Sequence, residues 1–323
     1  MNLDSSRLAL LQEFEHNLDP QRPEDSPIPA RILGYGEIST VFEIQDAAMD
    51  GLAFKRLPLF EDEVEIARYR AVYDEYLRLL ADPIGLHLPP HGQAVVRGRS
   101  GKPVFYIIQR RLPGDSIGHQ ALRRLPPPEV NRLVRRALRE MHKVWAFNRQ
   151  QSALQVALDG QISNWAIEGF DPAAPHLPDA RLWYLDTSTP LFRRNGVEQL
   201  DVELFLRSAP SFLVWILRLL FLQDVVDRYY DPHLVAVDLV ANFYKEQRPE
   251  LIPQVTGVVN DFFRQEAADL DIAPIREEEI RAYYREDALI WTLYLAMRWL
   301  DQFLRVRVLH REYPYILPRR IER

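Results

Sequence analysis

The sequence predicts an α+β protein with two lobes: a small strand-rich N-terminal lobe and a larger helical C-terminal lobe. The chain has 323 residues, which is enough for about two domains or for two lobes of one large domain. Most of the short segments with strand-like alternation lie within about the first hundred residues. From about Asp201 onward, apolar residues recur mainly at helical spacing. We expect the lobes to comprise residues 1–112 and 113–323.

Short strands and one helix are expected in the N-terminal lobe. The segments "STVFEI" and "GLAFKRL" predict strands, and "QAVVRG" and "VFYIIQRRL" flank the turn "RSGK", which predicts a hairpin. A helix is predicted over roughly residues 61–81, because its apolar side chains recur at spacings of three and four. These side chains are Ile66, Tyr69, Tyr73, Tyr76 and Leu80.

The C-terminal lobe contains three clear helical patterns. An amphipathic helix follows "RLPPPE", with an apolar stripe that runs from Val130 to Trp145. The apolar run "FLVWILRLLFL" at residues 212–222 predicts a buried core helix, because it is too short to span a bilayer and Arg218 interrupts it. The segment "EEEIRAYYREDALIWTLYLAMRWLDQFLRV" predicts the longest helix.

Composition excludes several classes of function. The formal net charge is −6, which disfavours a nucleic-acid partner, since such proteins normally carry a basic domain. There is no cysteine, so disulfides, thiolate zinc sites, iron–sulfur clusters and cysteine nucleophiles are ruled out. The N-terminal segment has acidic residues and no long apolar core, unlike a signal peptide. We therefore expect a cytoplasmic protein with no membrane partner.

Two features of the N-terminal lobe suggest anion binding. Gly34 and Gly36 in "GYGEISTV" lie between two predicted strands, where glycine allows the backbone to approach phosphate oxygens; a tight hairpin turn is the alternative. Lys55 follows an apolar strand segment, so it must meet an anion if it points inward, or lies on an exposed edge if it points outward. The following helix offers Glu65 and Glu75 as partners for Lys55.

Two polar segments of the C-terminal lobe suggest a metal site and a base. Asp159 and Asn164 are five positions apart in "LDGQISNWAI", directly after an apolar run, and an unpaired buried carboxylate there is costly. Asp186 ends the apolar strand of "RLWYLDTSTP" and begins a polar turn. Asparagine and aspartate oxygens suit Mg²⁺, which keeps several waters and takes phosphate oxygens for its other ligands.

In this order, the motifs resemble the protein-kinase-like fold, closest in style to its aminoglycoside and choline phosphotransferases. "GYGEISTV" resembles the phosphate-covering loop, "AFK" the strand lysine motif, and "IIQRRLPG" the hinge between the lobes. The resemblance implies that Gly34, Gly36 and Lys55 bind the phosphates of ATP. It also implies that Glu75, ahead of Glu65, pairs with Lys55. The backbone from about Gln109 to Arg111 would then meet the adenine edge.

The same resemblance assigns roles in the C-terminal lobe. Asp159 matches the catalytic base, and Asn164 and Asp186 match the ligands of Mg²⁺. Histidine is usual where this chain has Ala157, and Thr187-Ser188 stands in place of Phe-Gly after Asp186. Together with the lack of an Ala-Pro-Glu motif, these departures argue against a protein kinase and leave the small-molecule phosphotransferases.

The expected function is therefore Mg²⁺-dependent transfer of the ATP γ-phosphate to the hydroxyl of a small-molecule acceptor. A second hypothesis is a pseudokinase, a nucleotide-sensing or protein-binding module without turnover. The departures at Ser39, Ala157 and Thr187 support it. A third is a helical interaction protein that binds no nucleotide, in which Asp159 and Asn164 cap turns.

Overall fold

The protein has a mixed α/β architecture in which an antiparallel sheet is followed by a mainly helical region. A computed structural model describes residues 3–36, 38–177, 179, 181–207 and 226–318. The apolar run at residues 212–222, expected to form a buried helix, lies outside the described residues. None of the helices in the described part is long and apolar enough to cross a membrane.

A five-stranded antiparallel sheet with the strand order β1-β2-β3-β5-β4 dominates the N-terminal third. The predicted hairpin is confirmed as β4 and β5. The predicted helix is also present, and it begins where the side chain of Asp62 accepts the backbone N–H of Glu65 at 2.9 Å. The elements are α1 (Ser5–Asn17), β1 (Ala30–Tyr35), β2 (Thr40–Ile44), β3 (Leu52–Leu57), α2 (Glu63–Ala81), β4 (His91–Arg97) and β5 (Pro103–Arg110).

The two faces of this sheet are covered differently. Alternation along β3 sends Phe54 and Arg56 to the face that α1 covers, where Glu15 forms a buried ion pair with Arg56 at 2.7 Å. Leu57 lies on the other face, within an apolar cluster that includes residues of α2. Lys55 also points to the α2 side, because it alternates with Arg56.

The rest of the described chain combines helices with short strands. The apolar stripe of the predicted amphipathic helix is buried in the main core. β7 and β8 form a two-stranded ribbon, and β6, β9 and β10 form a three-stranded sheet. The elements are α3 (Gly118–Leu122), α4 (Pro127–Arg149), β6 (Leu154–Val156), β7 (Trp165–Ile167), β8 (Leu182–Tyr184), β9 (Phe192–Arg194), β10 (Val197–Glu198), α5 (Glu203–Leu206), α6 (Pro232–Lys245), α7 (Ile252–Gln265) and α8 (Glu277–Phe303).

The C-terminal segment departs from the helical expectation. After α8 the chain makes a short π-helical turn and then runs without regular secondary structure to Pro318. Its carbonyl groups accept hydrogen bonds from the small sheet: Ile316 O from Thr40 Oγ1 at 3.4 Å and Pro314 O from Arg56 Nη1 at 2.5 Å. Proline within the segment disfavours a helix, and these distant donors satisfy its backbone instead.

Candidate active site

The β7–β8 ribbon brings Asn164 and Asp186 together. Trp165, the first residue of β7, pairs with Tyr184, the last residue of β8. Asn164 precedes the one strand and Asp186 follows the other, so both leave the ribbon at the same end. The backbone N–H of Leu185 donates to the carbonyl oxygen of Asn164 at 2.8 Å, which fixes the two segments against each other.

Asp159 belongs to the same loop cluster. Its backbone N–H donates to the hydroxyl of Tyr184 at 3.2 Å, and its Oδ1 accepts the backbone N–H of Gln161 at 3.0 Å. The side-chain amide of Asn164 donates to the carbonyl of Asp159 at 3.3 Å. Three residues that the sequence singled out therefore lie in one hydrogen-bonded loop system.

Close packing beneath this loop requires glycine at position 160. A Cβ atom on Gly160 would lie 2.5 Å from Met141 Sδ and 2.7 Å from Val235 Cγ1. Gly118, at the start of α3, packs against the same loop from another side. A Cβ on Gly118 would lie 2.1 Å from the carbonyl oxygen of Ile162. The loop that carries Asp159 is thus held tightly between α3, α4 and α6.

Lys55 reaches this site from β3. Its Nζ lies 2.7 Å from Asp186 Oδ1 and 3.1 Å from the hydroxyl oxygen of Ser188, which in turn donates to Asp186 at 3.0 Å. The side chains of Lys55 and Asp186 are 12% and 22% exposed. Burial raises the pKa of Asp186, but Lys55 and the Ser188 hydrogen bonds outweigh burial and hold that pKa below its usual value. The inward orientation of Lys55, one of the two alternatives, is the one observed.

The expected ion pair between Lys55 and an acid of α2 is not formed. Glu75 pairs with Arg194, and Glu65 accepts two hydrogen bonds from Arg207, at 2.5 and 2.8 Å. The Arg207 hydrogen bonds lower the pKa of Glu65 to about 2. Each acid is satisfied away from Lys55, so the prediction of a Lys55 pair with Glu75, or with Glu65, is wrong in this structure.

Tyrosines occupy the α2 face that approaches the site. Tyr69 donates to the carbonyl of Ser188 at 2.7 Å, and Tyr76 donates to the carbonyl of Ala157 at 2.8 Å. The hydroxyl of Tyr73 lies 3.3 Å from Thr187 Oγ1. Burial raises the pKa of Tyr69, Tyr73 and Tyr76, so all three act as neutral hydroxyl groups.

Sequence reasoning missed the contribution of these hydroxyl groups. It treated the tyrosines as members of an apolar stripe, and the stripe does face the core. The available signal was that three of its members carry a polar group that needs a partner when buried.

A cross-strand row places Gly34 on the same sheet face as Lys55. Gly34 pairs with Val41, and Val41 pairs with Lys55, so the three residues lie in line across β1, β2 and β3. Ala53, on the same face of β3, pairs with Gln109. Val41, Ala53, Lys55 and Gln109 are partly exposed, so this face keeps access beside Asp186.

The turn after Gly34 is a compact hairpin connection. The backbone N–H of Gly36 donates to the carbonyl of Ser39 at 2.9 Å, and Ile38 is buried in the cluster that contains α2. A Cβ on Gly36 would lie 3.0 Å from Ser39 Oγ, so glycine leaves room for this closure. The hairpin alternative is therefore observed, and phosphate binding by Gly34 and Gly36 stays a prediction.

Two backbone N–H groups of the expected hinge are hydrogen-bonded within the protein. The backbone N–H of Arg110 donates to Pro90 O at 2.9 Å, and that of Arg111 donates to Gly51 O at 2.7 Å. Gln109 of β5 pairs with Ala53 of β3 and with His91 of β4, and its side-chain amide donates to the carbonyl oxygen of Leu185 at 3.4 Å. The N–H groups of Arg110 and Arg111 cannot donate to an adenine edge without losing these bonds. Adenine contact through these two N–H groups therefore requires a local rearrangement, and contact through the rest of this backbone stays a prediction.

Further acidic groups flank the Asp159 loop on the side of α6 and α8. Burial raises the pKa of Asp238 to about 7, and the nearby carboxylate of Asp287 adds to the increase. Gln161 and Lys245 lie against the same group, with Lys245 Nζ 3.3 Å from Gln161 Oε1. The wall beside Asp159 is thus polar rather than apolar.

The donor set suits Mg²⁺ better than a metal that demands a full protein cage. Among the described residues, no group of three or more His, Cys, Asp or Glu is arranged to hold a metal ion. Asn164 and Asp186 offer one amide oxygen and one carboxylate at the same ribbon end. Mg²⁺ is commonly bound by one or two protein oxygens together with waters and phosphates. In this structure Lys55 and Ser188 both contact Oδ1 of Asp186.

Comparison with known proteins supports a family assignment. The model of a family of unknown function (DUF6206) matches residues 21–302. The chain belongs to that family. A search of curated proteins found no match. The chain also resembles the solved GDP complex of wild-type aminoglycoside 2'-phosphotransferase-IIIa, with 11% identity, a TM-score of 0.35 and coverage of 73% of this chain and 93% of that one. So distant a likeness says nothing about the activity of this chain.

The region matched by DUF6206 includes the whole candidate site. It extends from before Gly34 to well beyond Asp186. The match ends at residue 302, before the C-terminal segment that packs on the small sheet. The candidate site therefore lies in the part of the chain that the DUF6206 family model covers.

Proposed function

We propose that the protein is a Mg²⁺-dependent phosphotransferase that moves the γ-phosphate of ATP to the hydroxyl of a small molecule. One observation carries the proposal: Lys55 reaches from the small sheet to the ribbon end that also bears Asp159, Asn164 and Asp186. A cation, a carboxylate base and two oxygen ligands close together are the parts that phosphoryl transfer needs. In this function residues 1–112 and 113–323 would form the two lobes of a protein-kinase-like fold in a cytoplasmic protein.

Each residue has a distinct task in this proposal. Lys55, on leaving Asp186, binds phosphate oxygens, and the turn at Gly34 and Gly36 lies above them. Asn164 and Asp186 would hold Mg²⁺, which supplies charge neutralisation to the phosphates when bound. Asp159 orients the acceptor hydroxyl and takes its proton while the hydroxyl oxygen forms a bond to the γ-phosphorus. The bond from that phosphorus to the bridging oxygen of ADP breaks, so ADP leaves.

The test is turnover by wild type and Asp159→Asn with a pool of hydroxyl compounds. General-base removal should lower ATP consumption by about 10²–10⁴-fold. Nucleotide affinity should stay nearly constant, because Asp159 does not hold ATP. Asp261→Asn is the matched control, since Asp261 pairs with Arg264 on the exposed side of α7. Equal ATP consumption by wild type and Asp159→Asn would refute the assigned base.

A pseudokinase is the second candidate, and two observations favour it. Lys55 and Asp186 neutralise each other at 2.7 Å, and the N–H groups of Arg110 and Arg111 are already engaged. A protein of this kind would bind nucleotide as a signal, or bind a protein partner, without transferring phosphate. Nucleotide binding by wild type with no ATP consumption above the Asp159→Asn background, across a broad acceptor pool, would favour this candidate.

A further inference from the structure

We propose that Tyr69 and Tyr73 of α2 are positioning residues that hold the segment carrying Asp186, in the place where an acid of the helix was expected. Their hydroxyl groups contact the two residues directly after Asp186, namely Thr187 and Ser188. The effect on nucleotide binding rests on the proposed function. The positioning itself does not.

The link from helix to carboxylate is short. Tyr69 donates to the carbonyl of Ser188 at 2.7 Å. The hydroxyl of that same Ser188 lies 3.1 Å from Lys55 Nζ and donates to Asp186 Oδ1 at 3.0 Å. One residue therefore joins α2 to both partners of the central ion pair. Movement of Ser188 would shift the orientation of Asp186.

The residues that form these hydrogen bonds are buried, so loss of a hydroxyl group would leave its partner without a donor or acceptor. Thr187 and Ser188 are 1% and 3% exposed, so water does not readily replace a lost hydroxyl partner. A buried carbonyl without a donor is costly, which favours retention of the observed geometry. Tyr69 and Tyr73 are themselves buried at 3% and 0% exposure.

The tyrosine rings are held independently of their hydroxyl groups. Tyr69 and Tyr73 stack at 6.0 Å, and each meets Phe105 edge-on, at 5.4 and 6.3 Å. Phenylalanine in either position should keep these ring contacts and remove only the hydroxyl. The substitution therefore separates packing of α2 from its polar contact with the Asp186 segment.

Charge explains why a neutral group works at this place. Among the described residues, Asp186 is the only carboxylate within salt-bridge distance of Lys55. An acid on the inner face of α2 would compete with Asp186 for the lysine. Tyrosine fixes the segment without competing, because its hydroxyl stays neutral when buried.

The experiment compares Tyr69→Phe, Tyr73→Phe and the double variant with Tyr106→Phe. Tyr106 is a matched control, because it is also buried but donates to Glu15 on the opposite face of the sheet. The first readout is amide hydrogen exchange of residues 184–191 in protein without nucleotide. The second is the dissociation constant for Mg²⁺ with a non-hydrolysable ATP analogue.

Loss of one such hydrogen bond should speed exchange across residues 184–191 by about three- to tenfold, and raise the dissociation constant by a similar factor. Tyr106→Phe should change neither quantity, even if it lowers stability. Unchanged exchange in the double variant, or equal acceleration by Tyr106→Phe, would overturn the positioning role. Faster exchange in a protein whose wild type binds no nucleotide would uphold that role and refute the proposed function instead.

Discussion

Gly160→Ala should destabilise the protein, because the space for one methyl group is already filled. The new Cβ would lie 2.5 Å from Met141 Sδ and 2.7 Å from Val235 Cγ1, both far inside normal contact distance. Gly160 does not have a positive φ, so backbone strain adds nothing to the cost. Forcing a methyl group into a packed site typically costs about 1–3 kcal/mol. The flexible Met141 side chain favours the lower half of that range.

Gly257→Ala is the matched control with the opposite expected sign. Gly257 lies in α7, and a Cβ there would meet none of the described residues within 4 Å. Alanine is the better helix former, so this variant should gain about 0.5–1 kcal/mol. Urea denaturation of wild type and both variants measures the free energies of unfolding. A Gly160→Ala protein as stable as wild type would show that the Asp159 loop does not pack against α4 and α6 as described.

Two further variants test charges around the sheet and the site. Glu15→Gln should lower the free energy of unfolding by about 3–5 kcal/mol, because it leaves the buried guanidinium of Arg56 without its carboxylate. Urea denaturation measures this free energy. A loss below about 1 kcal/mol would contradict the buried ion pair. Asp238→Asn tests a raised pKa: the folded state holds this proton up to about pH 7, whereas an ordinary aspartate releases it near 3.8. The free energy of unfolding of wild type should therefore fall relative to that of Asp238→Asn as the pH rises from about 4 to about 7. Above about pH 7 the difference between the two proteins should level off. A difference that stays constant between about pH 4 and about pH 7 would refute the raised pKa.

Local patterns in the sequence predicted much of the fold and part of the site. The β4–β5 hairpin and the stripes of α2 and α4 depend on neighbouring residues, and spacing alone reveals them. Asp186 was recognisable because it ends a short apolar strand, and Asn164 because it lies five positions after Asp159 in a polar stretch. The pairing of β7 with β8 then brings Asn164 and Asp186 together.

Other features depended on contacts between distant parts of the chain. Whether Glu75 or a tyrosine of α2 faces the Asp186 segment depends on the rotation of α2 against the sheet, and both choices fit the same helical spacing. The engaged N–H groups of the expected hinge have a related cause, because Gly51 supplies the carbonyl that accepts the N–H of Arg111. The extended C-terminal segment depends on Arg56, 258 positions away from Pro314. None of these pairings leaves a local pattern.

Mg²⁺-dependent nucleotide binding by wild type and Asp186→Asn tests the central claim most directly. Wild type should gain about 2.7 kcal/mol of stability when the ATP analogue with Mg²⁺ is at a hundredfold excess over its dissociation constant. Asp186→Asn should lose most of that gain, while the Asp261→Asn control should retain it. The measurement is a denaturation titration with and without Mg²⁺. No Mg²⁺-dependent stabilisation of wild type by any nucleotide would contradict the account and favour a helical interaction protein.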